Sequence, residues 1–309
     1  EPHFEVCRVR PAHFEGFGRG MKCKEHVSKG EDLLTISVSK CWTAAAAKRC
    51  PELAALGDDV LEAVSDATLI ALHILVVKSQ GPAADGVRRD HVATLASADF
   101  ETLLDWSEQD VQLLQGSKWA MVAPACRRDI EEEFAELQDL LGDFLAAYAV
   151  DRQGFLWAHR LLISRSVQFF MEDGAMLYLL GPGQDMFNHS VEAPIGNDDV
   201  HLRTAGPNGE QMLVISAYKD FEAGEQAFYS YSAASNGRLL MMAGFVIPGN
   251  PFDSVELALN FPVTDASLPL YQQLAIGLDA GTRTPGTVAA ADPRGEILEV
   301  AETEDGLPP

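Results

Sequence analysis

Two polar stretches, Gly181 to Ser190 (GPGQDMFNHS) and Glu222 to Ser232 (EAGEQAFYSYS), carry the residue types in this sequence best suited to chemistry. In the first, a strand-like run from Met176 to Leu180 ends in Gly-Pro-Gly, and Asp185, Asn188 and His189 follow at once. Carboxylate, carboxamide and imidazole groups just past a turn supply donors and acceptors for a ligand. In the second, the turn Glu222-Ala223-Gly224 leads into an aromatic strand, Phe228 to Tyr231, with Ser235-Asn236 just beyond. Two such turns beside buried strands can converge on one ligand. The plainer reading is that Asn188 and Asp185 bond their own backbone and merely hold a turn. A hydrolase built on Ser230, His189 and Asp185 lacks the G-x-S-x-G elbow that presents a serine nucleophile.

The elements that must position these residues fall into three blocks. Residues 1–42 read as strands around a glycine-punctuated turn, Glu15-Gly16-Phe17-Gly18-Arg19-Gly20, which lacks the spacing of a dinucleotide fingerprint. Residues 43–154 read as helices. Phe134, Leu137, Leu141, Phe144, Leu145 and Tyr148 recur at helical spacing over Glu131 to Tyr148, and Asp59 to Val77 reads as one helix buried on most sides, with His73 a core histidine. Residues 155–260 return to strands, including a hairpin across Gly206-Pro207-Asn208-Gly209. Arg165, set among Leu161, Leu162, Ile163 and Val167, either snorkels to solvent or meets a fixed acceptor. Asn236 to Met242 reads as a short helix, Leu270 to Leu278 as a further helical stretch, and Gly281 to Pro309 as a loose tail.

The 309 residues suffice for one large or two ordinary domains, and 47% hydrophobic with 22% charged residues is ordinary globular composition. A net charge of -23 argues against nucleic acid as a partner and favours approach of a basic peptide or protein. Five cysteines with no C-x-x-C pair read as reduced thiols. The apolar run Ala67 to Val77 is too short for a membrane span. The chain begins at Glu1 without Met, which leaves any targeting segment and the compartment open.

Taken in order, EGFGRG, LLQG, LLISRSV, GPGQDMFNHS, FEAGEQAFYSYSAASNGRLLMMAGF and GNPFD resemble the SET-domain protein methyltransferases. The branch most similar contains the Rubisco large-subunit lysine methyltransferase and the actin histidine methyltransferase. The resemblance covers nearly residues 10 to 260 and implies an α+β fold. Its small curved sheets would have a knot-like threading of the Asn-His segment past the tyrosine segment. The SET core would occupy 1–42 and 155–260, split by the helical insertion 43–154, with 261–309 a residue of the C-terminal substrate-binding domain. It further implies S-adenosylmethionine as cofactor and no metal. Glu15, Gly16, Phe17, Arg165, Asp185, Asn188, His189 and Phe245 would form the cofactor pocket. Arg165, Asp185 and Tyr231 would meet the substrate, and Tyr231 would be the catalytic tyrosine.

The implied reaction is methyl transfer to a lysine side chain of a protein, an in-line displacement in which positioning supplies much of the rate. The histidine-directed enzyme has Trp and Asn where Gln184 and Val167 align, which favours lysine; histidine is the alternative. Family members usually carry glycine after the tyrosine, where Ser232 stands here. A positive φ at that position would strain serine. With the short C-terminal segment, Ser232 motivates a further alternative, a non-catalytic SET-fold scaffold that binds peptides.

Overall fold

Gly16 and Gly18, with φ of +79° and +68°, close the tight turn that the glycine-rich stretch predicts. A side chain at either position would be strained there. In the computed structural model, which describes residues 4–84, 86–96, 100–171, 174–195, 199–205, 209–259 and 296–301, this turn joins β2 to β3. The N-terminal strands are β1 (Val6–Cys7), β2 (Val9–Phe14), β3 (Gly18–Cys23) and β4 (Asp32–Ser37). A helical block follows: α1 (Ala44–Lys48), α2 (Pro51–Ala54), α3 (Asp58–Ala63), α4 (Asp66–Gln80), α5 (Gly86–Ala96), α6 (Glu108–Val111), α7 (Trp119–Ala147) and α8 (Arg152–Arg165). Next come β5 (Val167–Phe170), β6 (Met176–Leu179), β7 (Asn188–His189), β8 (Val200–Ala205), β9 (Glu210–Ser216) and β10 (Gln226–Tyr229). Helix α9 (Asn236–Ala243) precedes β11 (Ser254–Leu259) and β12 (Glu296–Ala301).

The strands form two four-stranded sheets, ordered β1-β4-β9-β8 and β2-β3-β10-β7, and a separate β5-β6 hairpin. Strands β8 and β9 pair as the sequence predicts, from Val200 opposite Ile215 to Ala205 opposite Glu210. One core, of Val9, Met21, Leu33, Leu34, Ile36, Leu213, Ile215 and Phe221, fills the sheets; the other, built on α4, α7 and α8, fills the helical block. Residues Glu1–Pro251 make one compact unit and Phe252–Pro309 another. In the second unit β11 and β12 pair antiparallel. The loose tail expected over Gly281 to Pro309 is thereby corrected at Glu296–Ala301, where Ile297, Leu298 and Val300 favour a strand over the solvating pull of the acidic neighbours. The expected Leu270 to Leu278 helix lies outside the described residues.

Helix boundaries differ from the sequence reading where caps intervene. Asp59 to Val77 is two helices, because Ser65 accepts a hydrogen bond from Thr68 N (3.1 Å) and starts α4 anew. The one helix expected over Glu131 to Tyr148 begins earlier, at Trp119, with Pro124 inside it, and is kinked at Leu141 (φ -128°, ψ 24°). The stretch after 155 continues a helix, α8, whose cap Asp151 accepts from Gly154 N at 2.7 Å. Helix α9 matches its expected span; Ser235 caps its start and Gly244, at φ +77°, ends it in the left-handed conformation that favours glycine. All five cysteines are free thiols. Among the described residues no single helix is long and apolar enough to cross a membrane.

His73 and His159 are buried in the helical block. Burial, helped at His73 by Arg88, holds these imidazoles down at about 3 and about 4. Unfolded histidines titrate near about 6.5, so the stabilisation is full above that value and is lost as pH falls toward the folded values. Acidification from about pH 7 to about pH 5 is expected to cost roughly 2 kcal/mol per histidine. Urea unfolding at the two pH values reads this directly, and His159→Phe should remove about half of the dependence. An unchanged dependence in that variant would contradict the assignment.

Candidate functional site

The site is built where β7 lies parallel beside β10, with Asn188 opposite Phe228 and His189 opposite Tyr229. This pairing lays the Asn-His segment against the tyrosine strand. Strand alternation puts Tyr229 and Tyr231 on one side of the chain, with ring centroids 5.2 Å apart. Just past β10, Tyr231 N donates to His189 Nδ1 (3.0 Å) and the Tyr231 hydroxyl donates to Phe187 O (2.8 Å). Phe187 is itself buried in the sheet core. That burial contributes roughly 2–3 kcal/mol and fixes the carbonyl that receives the hydroxyl. The His189 and Phe245 rings stand 5.2 and 6.4 Å from the Tyr231 ring, and His189 lies 6.3 Å from Phe245.

Asp185 lies in a 3-10 turn, Gln184–Met186, with its carboxylate wholly buried. Its Oδ1 accepts from Gly183 N (3.1 Å) and meets His91 Nε2 at 3.0 Å; Oδ2 has Arg165 Nη1 at 3.7 Å and no hydrogen bond. Burial pushes this carboxyl up, but His91, Arg165 and Arg19 outweigh it and hold Asp185 below the usual carboxylate value. Arg165 has the fixed acceptor that the sequence left undecided. Its Nη1 donates to Asp185 O (2.7 Å), and its guanidinium stacks on the Phe100 ring at 4.7 Å. Gln184 ties the pieces together, since Nε2 donates to Tyr229 Oη (2.7 Å) and Arg165 O (3.2 Å) while Oε1 accepts from Gly181 N (3.2 Å).

Burial also sets the protonation states. It raises Tyr231 to about 12 and Tyr229 well above the ordinary phenol value, so both are phenols at neutral pH. His189 is lowered by burial, with the Tyr229 backbone opposing the shift. Its Nδ1 accepts from Tyr231 N, which places the ring proton on Nε2.

Of the residues singled out in the sequence, Arg165, Asp185, Asn188, His189, Tyr231 and Phe245 come together here. The Glu15-Gly16-Phe17 turn reaches the site through its hairpin. Phe17, half exposed, packs edge-on against Phe228 at 5.4 Å, and Asn188 Nδ2 donates to Arg19 O of β3 (3.0 Å). Glu15 is exposed at the turn. Ser232 does not have a positive φ, so serine after the tyrosine is unstrained. Trp42, His91 and Tyr229 join the site without a role expected from sequence. His91 belongs to α5 and offered no local signal, whereas Gln184 and Tyr229 lie inside the quoted motifs. A cavity of about 260 Å³ adjoins His91, but Asn188, His189 and Tyr231 do not line it. The aromatic cluster is where the motif residues meet.

Gly20 lies close against the side chains of Gln226 and Asn188. A Cβ there would fall 2.5 Å from Gln226 Nε2 and 2.8 Å from Asn188 Nδ2. Gly20→Ala is therefore expected to displace the Asn188 carboxamide from Arg19 O and to cost about 1 kcal/mol of stability, roughly one hydrogen bond. Urea unfolding checks this, and an unchanged stability would show that the carboxamide keeps its place.

Comparison with known proteins decides the family. The SET domain family model matches residues 18–232, more than two thirds of the chain. The chain belongs to the SET-domain family. In curated sequences this SET protein is similar to actin-histidine N-methyltransferase of Gallus gallus, 26% identical, over 82% of this chain and 42% of the relative. The Homo sapiens protein of that name is 24% identical over the same shares. The chain thus spans 42% of the length of these relatives. Among solved structures it is similar to the SET domain of LSMT bound to lysine and AdoHcy, with TM-score 0.74 and 18% identity over 99% of this chain and 65% of that one. Rubisco LSMT bound to AdoMet gives TM-score 0.70 at 17% identity, over 96% of this chain and 62% of that one. The SET fold of small sheets with interposed helices is shared with them.

Proposed function

We propose that this SET domain transfers a methyl group from S-adenosylmethionine to a lysine side chain of a protein substrate. The observation that carries the reading is the hydrogen-bonded frame Phe187–Tyr231 and Arg165–Gln184–Tyr229, which gathers two phenols and two carbonyl groups beside the Asn-His segment. The cofactor fits the residues present. Gly16 and Gly18 have open space where a side chain would stand, Phe17, His189 and Phe245 offer aromatic faces, and Asp185 Oδ2 is buried without a hydrogen bond. The turn at Glu15-Gly16-Phe17 with Asn188, His189, Arg165 and Phe245 would hold it. When bound, it supplies a sulfonium methyl for in-line transfer to a nitrogen.

The chain's residues then have distinct tasks. The Tyr231 hydroxyl hydrogen is engaged by Phe187 O, so its oxygen offers lone pairs to an N–H of the incoming amine and aims the nitrogen lone pair. Held at about 12, Tyr231 orients the amine and does not take its proton. A lysine with ordinary pKa near about 10.4 must arrive neutral; an enclosed apolar channel favours that form. Carbonyl oxygens beside the bound cofactor would accept weak C–H hydrogen bonds from its methyl group. The acidic surface favours a basic segment as substrate.

Histidine is the second reading, favoured by the names of the curated relatives. Lysine is put first by the likeness to the SET domain of LSMT, solved with lysine bound. Transfer from methyl-labelled S-adenosylmethionine to extract proteins, followed by mass spectrometric localisation, separates the two. Label on lysine Nε supports the proposal, and label on histidine ring nitrogens overturns the lysine assignment.

A further inference from the structure

One fully buried polar contact of the site comes from the helical block and not from the sheets. His91, on α5, is buried, and its two ring nitrogens have different partners. Trp42 Nε1 donates to Nδ1 at 2.8 Å. An indole nitrogen only donates, so Nδ1 carries no proton and Nε2 bears the hydrogen that points at Asp185 Oδ1, 3.0 Å away. Trp42 is fixed in turn. Its backbone exchanges two hydrogen bonds with Leu180, at 2.9 and 3.1 Å, immediately before the Gly181-to-Asp185 turn. Helix α5 has further ties: Arg88 Nη2 donates to Ser39 O (2.7 Å) and Cys41 O (2.8 Å) in the turn after β4, and Arg19 Nη1 of β3 donates to Thr94 O (3.3 Å).

We propose that His91 is a positioning residue for the methyl transfer, supplied to the SET core by its helical insertion. The inference rests on the functional reading above. Fixed by Trp42, His91 sets the orientation of the Asp185 carboxylate. Asp185 O receives Arg165, Arg165 O receives Gln184, and Gln184 holds the Tyr229 hydroxyl. A shift of α5 is thus passed to the carbonyls and hydroxyls that would face the acceptor nitrogen. Sub-ångström placement of such groups governs the rate of an in-line displacement. The insertion is then part of the site, and α5 with its Trp42 anchor is the element through which it acts.

The test compares wild type, His91→Phe, His91→Gln and Trp42→Phe in the full chain. Three readouts are taken: initial rate of label transfer from methyl-labelled S-adenosylmethionine to extract protein, cofactor affinity by calorimetry, and thermal unfolding. Phenylalanine fills the space of His91 without donating; glutamine restores a donor near Nε2. His91→Phe should lower the transfer rate of folded, cofactor-saturated protein about 10- to 100-fold. Cofactor affinity should change less than about threefold, and His91→Gln should recover about tenfold of the lost rate. Trp42→Phe, which leaves His91 in place with an unpinned ring, should lower the rate even if His91→Phe does not fold. A rate unchanged in the folded variants, or no advantage of His91→Gln over Trp42→Phe and His91→Phe, would overturn the inference while leaving methyl transfer standing. Absence of transfer by wild type would overturn the functional reading and this inference with it.

Discussion

Replacing Tyr231 with phenylalanine is expected to lower the rate of methyl transfer by about 10²- to 10³-fold, the size of effect seen when one well-placed polar group is removed from a reacting centre. The ring stays, so packing against His189 and Phe245 is retained, and cofactor affinity should change by less than about threefold. Two things are lost: the oxygen proposed to accept the amine N–H, and the partner of Phe187 O. The orphaned carbonyl should cost about 1–3 kcal/mol of stability. Single-turnover transfer at saturating cofactor, with unfolding measured in parallel, separates the two effects. A variant that loses stability but transfers at the wild-type rate would make Tyr231 structural only.

The largest effect on stability is expected at Asp185. Asp185→Asn keeps the shape but places a neutral group against Arg165 and the His91 Nε2–H, and its amide nitrogen, a donor, faces donors on either side of the carboxylate position. Removing one partner from a buried ionic cluster costs about 3–5 kcal/mol. The pH dependence identifies the cause. The folded-state value of Asp185 is depressed, so its stabilisation is present above the unfolded value of about 3.9 and fades as pH falls through the lower folded value. The gap between wild type and Asp185→Asn should therefore be full near neutrality and narrow in acid. A gap independent of pH would assign the loss to packing and not to charge.

Local signals made much of the scaffold legible, and they fail where the contacts are long-range. Gly16 and Gly18 announced their turn because few other residues adopt its φ, and the Gly-Pro-Asn-Gly segment announced the β8-β9 hairpin. Asp59 to Val77 has the pattern of one helix because apolar residues run through it, although Ser65-Asp66 carries the cap that divides it. Arg165 was recognisable as unusual, yet its acceptor, Asp185 O, lies twenty residues away. Trp42, His91 and Asp185 are separated by 49 and 94 residues. No periodicity links them, because their meeting depends on how the helical block folds back on the sheets. Gln184 and Tyr229 sat within legible motifs, but their mutual hydrogen bond depends on the parallel β7-β10 pairing.

The central claim, that these threads form a working S-adenosylmethionine pocket, is tested most directly without knowing the substrate. Isothermal calorimetry of the chain with S-adenosylmethionine, paired with a thermal-shift titration, should show saturable one-to-one binding that raises the unfolding temperature. Absence of heat and of any shift at millimolar cofactor would contradict the account and leave a SET-fold scaffold in its place.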